Sequence, residues 1–358
     1  MKQGKTKLSF ANGALSDHCV TNIKRLRPYV SSVVVCFDSA VPEHLLTQVL
    51  SGIQKSGCDY KTLKVARGEK NKTIEHAAQL ANKLLRAKVD RSSLVIAVGG
   101  GTTSDVVGFS ASMVMRGVRW ACLPTTLLSM VDAGIGGKTG VNAGGAKNML
   151  GAFHFPEFIH IDFRWLKSLP VREFSSGLGE LQKTALLAGG QLLNLCLAAS
   201  PSQLRKPCTQ LQQIIKMAAK FKAKVVAGDP TETDMRQILN LGHTFGHPLE
   251  LSERSHLTHG EAVSYGIRCA VSHSVELGIC DEKLVKLNDK LQQKMRLEYV
   301  NELPLPTAST LRQVLARDKK SKGGELTLVL LEKAGRPMLR GGYSAAAVAK
   351  IVIANRLA

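Results

Sequence analysis

The chain has 358 residues, 44% of them hydrophobic, which is enough for two ordinary domains with cores of their own and too apolar for a disordered polymer. Its net charge of +20 attracts polyanions, yet the basic residues are spread evenly and aromatics stand at only 5%, so nucleic-acid binding is not expected; a solvated basic surface is the plainest reading and a phosphate-bearing substrate the next. No run reaches a membrane-spanning length, the start MKQGKTKLSF lacks the apolar run of a signal peptide, and the 8 cysteines contain no C-x-x-C pair; a cytoplasmic protein with free, mostly buried thiols is expected, binding no membrane.

The first regular elements are SSVVVCFDS and SSLVIAVGGG, short β-branched runs that end in polar or glycine turns, as buried parallel strands do. Between them TIEHAAQLANKLLRAKV has apolar residues at helical spacing, with Thr73 placed to cap its start. Strand, helix and strand with glycines at the carboxyl end predict an open, Rossmann-like parallel sheet with a ligand crevice there. In VGGGTTSDVVGF, Gly99, Gly100 and Gly101 follow a strand and precede a helix, which lets backbone N–H groups approach a pyrophosphate. This is not the G-x-G-x-x-G fingerprint, yet it favours a phosphate site over a mere tight turn. Asp38, at the end of an earlier strand, is placed to accept from ribose hydroxyls, or else to cap a turn.

RWACLPTTLLS and FIHIDF read as further strands. After the first of these lies a glycine-rich stretch with Asp132, Lys138, Lys147 and Asn148 in and around GIGGKTG and NAGGAKN, read as a loop whose cations suit an anionic substrate. After LKSLP the texture becomes helical, as in SGLGELQKTALL and TQLQQIIKMAAKFKAKVV. The boundary is therefore set near Pro170: an α/β domain over 1–170 and a mainly α-helical domain over 171–358. A late GELTLVLLEKAGRP alternates between turns and predicts a small hairpin.

Two motifs of the helical half carry chemistry. Glu180 and Lys183 are three apart, so they share a helix face that is otherwise apolar, and burying both charges is costly unless something needs them. LNLGHTFGHPLELSERSHLTHGEAV concentrates four histidines. His243 and His247 share a face if GHTFGHPLE starts a helix; such a pair is more often structural than metal-binding. His259 and Glu180 are available to complete a site of two histidines and one carboxylate, and spacing alone leaves open which two histidines bind.

From Asp38 to Leu330 the chain resembles the 3-dehydroquinate synthases, within the sugar phosphate cyclases. The resemblance is carried by ARGEKNKT, VGGGTTSDVVGF, LPTTLLSMVDAGIGGKTGVN, AKNMLGAF, GLGELQK, KAKVVAGD, RQILNLGHTFGH, THGEAV and RDKKSKGG. It implies an NAD-dependent enzyme with one divalent metal ion, zinc or cobalt, that closes 3-deoxy-D-arabino-heptulosonate 7-phosphate to 3-dehydroquinate with loss of phosphate. By the family's mechanism NAD takes a hydride from a carbinol and later returns it. The resemblance makes Glu180, His243 and His259 the metal ligands. It matches Asp38, Glu69, Lys72, Gly100, Gly101, Asp105, Thr125, Thr126, Lys138 and Asn148 to nucleotide-contacting positions. Arg116, Asp132, Lys138, Lys147, Asn148, Lys183, Lys222, Arg236, Asn240, His247 and the turn Asp318-Lys319-Lys320 match substrate-contacting ones. His256 is left without a role, and a homodimer is expected.

The chain departs from the family pattern at Ser104, where glycine is usual and a side chain would crowd the pyrophosphate turn, and at Phe163, where threonine is common near the cofactor. DPTETDMR also differs from the usual DE-x-E-x-G-x-R. Related cyclases such as 2-deoxy-scyllo-inosose synthase, and metal-dependent polyol dehydrogenases, share the plan; Leu239-Asn240 and RDKK resemble the dehydroquinate branch.

Overall fold

The structure, a computed structural model, describes residues 6–11, 15–26, 30–251, 257–302, 304–316 and 325–356. The chain falls into two compact units, Met1–Leu169 and Pro170–Ala358.

In the first unit the elements run β1 (Lys7–Ala11), α1 (Leu15–Leu26), β2 (Ser32–Asp38), α2 (Glu43–Lys55), β3 (Asp59–Val65), α3 (Ile74–Arg86), β4 (Ser93–Gly99), α4 (Gly101–Met113), β5 (Arg119–Pro124), β6 (Lys138–Ala143), β7 (Ala146–Phe153) and β8 (Phe158–Asp162). Six of the strands form one sheet in the order β1-β8-β5-β4-β2-β3, paired in parallel throughout. The β-branched runs sit where burial demands them: β4 is buried from end to end, while β3 at the edge is mostly exposed. The chain leaves β2 toward β3 on one side and returns past it to β4 on the other. A crevice therefore opens at the carboxyl ends of β2 and β4, the position of Asp38 and of Gly99–Gly101. Thr73 caps α3 as its sequence predicts, its hydroxyl accepting from the His76 N–H.

The glycine-rich stretch, expected as a loop, is instead largely an antiparallel hairpin of β6 and β7 with Lys138 opposite Phe153. Its strands pass so closely at Gly140 and Gly151 that a Cβ on either would lie 2.6 or 2.4 Å from a carbonyl oxygen of the facing strand. Side-chain alternation, the usual mark of a strand, is absent there. The two-residue turn Gly144-Gly145 has positive φ at both positions, which such a turn demands.

The second unit is helical: α5 (Val171–Ala188), α6 (Gly190–Ala198), α7 (Pro201–Leu204), α8 (Thr209–Gly228), α9 (His243–Glu250), α10 (His259–Glu276), α11 (Lys283–Met295), α12 (Ala308–Ala316) and α13 (Ala345–Ala354), with the hairpin β9 (Leu326–Lys333) and β10 (Arg336–Tyr343). Helix α5 is buried on every side from Phe174 to Leu187, which places Glu180 and Lys183 in the core. Glycines set how closely α10 approaches its neighbours. A Cβ on Gly179 of α5 would fall 1.9 Å from the Gly260 carbonyl oxygen, and one on Gly266 would fall 2.0 Å from that of Gly242, just before α9. Three backbones are thus brought near enough for short side chains from α5, α9 and α10 to meet. A chain of buried amides, Gln182 to Asn288 at 2.7 Å and Ser264 to Gln182 at 2.6 Å, ties α5 to α10 and α11.

Seven cysteines are free thiols, Cys36, Cys58, Cys122, Cys196 and Cys269 buried and Cys208 and Cys280 partly so; the side chain of Cys19 lies outside the described residues. No described helix is long and apolar enough to cross a membrane.

Candidate metal centre and cofactor cradle

In the first unit the expected nucleotide positions collect at the carboxyl end of the sheet. Asp38 accepts from the Ala40 N–H at 2.8 Å and from the Thr103 hydroxyl at 3.0 Å, so the end of β2 is tied to the first turn of α4. That helix starts at Gly100 with no side-chain cap, leaving its first N–H groups to a ligand. The glycines are packed closely: a Cβ on Gly100 would lie 3.1 Å from Thr126 Cγ2, and one on Gly101 2.9 Å from Ala133 Cβ. The Thr125 N–H donates to the Gly99 carbonyl at 2.9 Å.

Beside this turn a polar network joins residues far apart in sequence. Lys72, buried, donates to Asp105 at 2.6 Å and to Asn148 at 2.5 Å. Asn142 donates to Glu69 at 2.8 Å, its carbonyl oxygen accepts from the Asn148 N–H at 2.9 Å, and Thr102 donates to the other Glu69 oxygen at 3.2 Å. Four expected nucleotide-contacting residues, Glu69, Lys72, Asp105 and Asn148, are therefore one cluster. Asn142 and Thr102 complete it and were not singled out from the sequence; a lone amide or hydroxyl carries no spacing signal.

Ser104 is buried, and its hydroxyl donates to the Gly101 carbonyl at 2.8 Å, so the group sits within its own helical turn. The Phe163 ring stacks on Phe10 at 6.4 Å between centroids, so it serves the packing of β1 and β8. Arg116 and Lys138 are exposed, Asp132 and Lys147 half-buried. Arg116 has a φ of 64° next to Met115 at 48°, a left-handed pair that non-glycine residues rarely adopt. Asp132 lies on a π-helical turn, Ser129–Ala133.

In the second unit Glu180 Oε1 stands 3.4 Å from His243 Nε2 and 3.0 Å from His259 Nε2, and one ligand atom from each lies within 4.8 Å of the others. Glu180 Oε2 forms an ion pair with Lys183, both groups buried. Of the imidazoles, His243 turns Nδ1 to the Leu241 carbonyl at 3.2 Å. A carbonyl only accepts, so Nδ1 carries the proton. Burial first, then Lys183, holds the His243 pKa down at about 4, so the ring is neutral and Nε2 is a bare lone pair. A lone pair facing a carboxylate oxygen at 3.4 Å is two acceptors in opposition, an arrangement that a cation between them resolves. Ligands at about 2.1 Å around a tetrahedral ion lie about 3.4 Å apart. The residues fit a divalent ion.

His259 turns Nδ1 to Glu250 Oε2 at 3.1 Å. Burial lowers its pKa, but hydrogen bonds to Glu180 and Glu250 outweigh that and raise it to about 10; Glu180 itself, despite burial, is held well below the usual carboxylate range, above all by Lys183. His247 is half-buried, its ring 5.4 Å from that of His243 and 6.3 Å from that of His259. The helical pair four apart is thus adjacent, yet the pair sharing Glu180 is His243 and His259.

Helix α5 packs on α8, and the 3-10 turn Met235–Asn240 packs on both. Lys222 of α8 and Arg236 of the turn are buried. DPTETDMR folds around its acids. Asp229 accepts backbone N–H groups of Thr233, Asp234 and Arg236 at 3.1, 2.8 and 3.0 Å. Glu232 accepts from Asn240 at 2.9 Å and lies 3.8 Å from Arg236, so it joins two expected substrate residues and was itself missed. His256, Asp318, Lys319 and Lys320 lie outside the described residues.

Residues 62–176 match the family model for the 3-dehydroquinate synthase N-terminal region, and 177–321 that for the C-terminal region. The chain is 33% identical over 330 residues to a 3-dehydroquinate synthase of Rhodopirellula baltica, covering 90% of this chain and 86% of that one. With one of Legionella pneumophila it shares 37% over 306 residues, covering 85% and 82%. Among solved structures it is similar in fold to a 2-epi-5-epi-valiolone synthase of Streptomyces hygroscopicus with NAD+ and Zn2+ bound (TM-score 0.88, 22% identity, 99% and 98% covered). A 2-deoxy-scyllo-inosose synthase complexed with carbaglucose-6-phosphate, NAD+ and Co2+ is also similar (0.83, 24%, 96% and 95%).

Proposed function

The chain belongs to the 3-dehydroquinate synthase family, and from that premise we propose that it closes 3-deoxy-D-arabino-heptulosonate 7-phosphate to 3-dehydroquinate, a carbon–oxygen lyase that eliminates phosphate. The observation that carries this reading is the convergence of Glu180, His243 and His259, with the bare His243 Nε2 facing a carboxylate. In this reading those three hold one divalent ion, zinc or cobalt. Asp38, Glu69, Lys72, Gly100, Gly101, Asp105, Thr125, Thr126, Lys138 and Asn148 hold NAD. When bound, the ion polarises substrate oxygens, and NAD accepts a hydride and returns it.

The chain's own groups do the rest. Asp38 accepts from ribose hydroxyls, and the uncapped N–H groups of α4 receive the pyrophosphate. Lys222, Arg236 and Asn240 orient the substrate in the helical unit, Arg236 and Asn240 being aligned by Glu232. Arg116, Lys138 and Lys147 supply charge-assisted bonds to its anionic ends, with Asp132 and Asn148 beside them. As the C–O bond to phosphate breaks, these cations take up the charge of the leaving group. Lys183 keeps Glu180 ionised. His247, half-exposed beside both ligand histidines, is placed to hold a substrate hydroxyl. Lys319 and Lys320 join this set from the sequence resemblance alone. The reading places the enzyme in the cytoplasm as a homodimer, for which exposed Met149, Leu150 and Phe153 of β7 offer apolar surface; light scattering checks the dimer.

The test is phosphate release by purified protein from the heptulosonate phosphate and, separately, from glucose 6-phosphate, each with and without chelator. Release only from the former, abolished by chelator, is expected. Activity confined to glucose 6-phosphate sinks the assignment.

A further inference from the structure

We infer that Glu250 is the positioning residue that makes His259 a ligand through Nε2, an inference that rests on the metal-centre reading above. The two ligand histidines are built alike. His243 spends Nδ1 on the Leu241 carbonyl and aims Nε2 at Glu180; His259 spends Nδ1 on Glu250 Oε2, at 3.1 Å, and aims Nε2 at the same Glu180 oxygen. Backbone and carboxylate can only accept, so each fixes the proton on Nδ1 and leaves Nε2 for the ion. The two acceptors differ in kind. Leu241 is backbone adjoining the helix that carries His243 and follows any movement of it. Glu250 belongs to α9, whereas His259 opens α10, so this bond spans two helices and nine residues.

The bond also sets the ring's rotation. His259 is the first residue of α10, and its side chain is more open than that of His243, 27% against 11%. Helix packing alone holds it less firmly. The backbone beneath it is fixed separately: Glu261 accepts from the Thr258 N–H at 2.7 Å and from the Tyr299 hydroxyl, which caps the helix and leaves the ring's rotation to Glu250. A carboxylate at Nδ1 also raises the electron density at Nε2, strengthening it as a ligand.

The competing role for Glu250 is direct ligation. His247, Glu250 and His259 each offer an atom within 4.8 Å of the others, enough for a second ion. The positioning role is favoured because His259 Nδ1 is then a donor at ordinary hydrogen-bond length.

The experiment titrates Co²⁺ into metal-free wild-type protein, E250A and E250Q, reading affinity, stoichiometry and the visible ligand-field spectrum. Wild type is expected to bind one ion. E250A should bind it about 10–100-fold more weakly with an altered spectrum. E250Q, whose amide oxygen still accepts from Nδ1–H, should recover most of the affinity and the wild-type spectrum, a rescue that a merely structural role would not produce. Equal affinity and spectrum in all three overturns the inference while leaving the metal centre intact. Two ions in wild type falling to one in both variants overturns it in favour of direct ligation. Failure of wild type to bind Co²⁺ overturns the metal-centre reading and this inference with it.

Discussion

Lys183→Met keeps the length and apolar volume of the side chain and deletes its charge. Glu180 is then left ionised at 0% exposure, its ion pair gone, with His259 at 3.0 Å as the remaining cation in metal-free protein. Removing one partner of a buried pair costs about 3–5 kcal/mol; the surviving His259 contact places this case near 3. At about 2–4 °C per kcal/mol for a unit of this size, the unfolding midpoint falls by about 6–12 °C. The assay is thermal unfolding of chelator-treated protein followed by far-ultraviolet ellipticity, which the helical unit dominates. The double variant E180Q/K183M should recover most of the loss, because both charges leave together. A bound divalent ion should shrink the penalty of the single variant, since it supplies Glu180 with a new counter-charge. A K183M midpoint within about 2 °C of wild type, or a double variant as unstable as the single, refutes the claim that this pair is a buried, mutually dependent unit.

Asn142→Ala removes the amide that joins Glu69 to Asn148, so NAD affinity should fall by about tenfold, equivalent to about 1.4 kcal/mol, with Co²⁺ affinity unchanged, both read by calorimetry. Ser104→Ala deletes a hydroxyl satisfied within its own helix, and NAD affinity should stay within about twofold; a large gain would show that the side chain crowds the cofactor after all. Gly266→Ala sets a Cβ 2.0 Å from a backbone oxygen, and urea unfolding should show a loss of about 3 kcal/mol or more together with weaker Co²⁺ binding. Metal-free protein should be most stable near pH 6.5. His243, with its folded pKa lowered to about 4, contributes stability that is lost as pH falls from 6.5 toward 4; His259, raised to about 10, contributes stability lost as pH rises from 6.5 toward 10. Unfolding midpoints across that range check both limbs, and a flat profile contradicts them.

The sheet was legible where burial is two-sided. Val33–Cys36 and Leu94–Val98 are apolar because successive residues, which point to opposite faces of β2 and β4, are all buried. Strand β3 escaped notice because DYKTLKV lies at the exposed edge, and the β6–β7 hairpin because Gly140 and Gly151 replace side chains with backbone contact. In the helical unit the Glu180–Lys183 spacing on an apolar helix already marked a charge pair with a purpose. The sequence left the histidine pair undecided for a physical reason: a spacing of four puts His243 and His247 on one helix, but which ring meets Glu180 depends on how α10 crosses α5. That crossing is fixed by Gly179 and Gly260, residues with no chemistry of their own. Glu232, Asn142 and Glu250 act by holding other residues, and only tertiary contacts identify such a role.

A cyclase of this family uses NAD without consuming it. Phosphate and NADH should be counted together while protein, a divalent ion and substoichiometric NAD act on the heptulosonate phosphate. One phosphate per substrate consumed is expected, continuing long after the NAD present would have been exhausted, with no net NADH. NADH accumulating mole for mole with substrate, or no phosphate at all, contradicts that expectation.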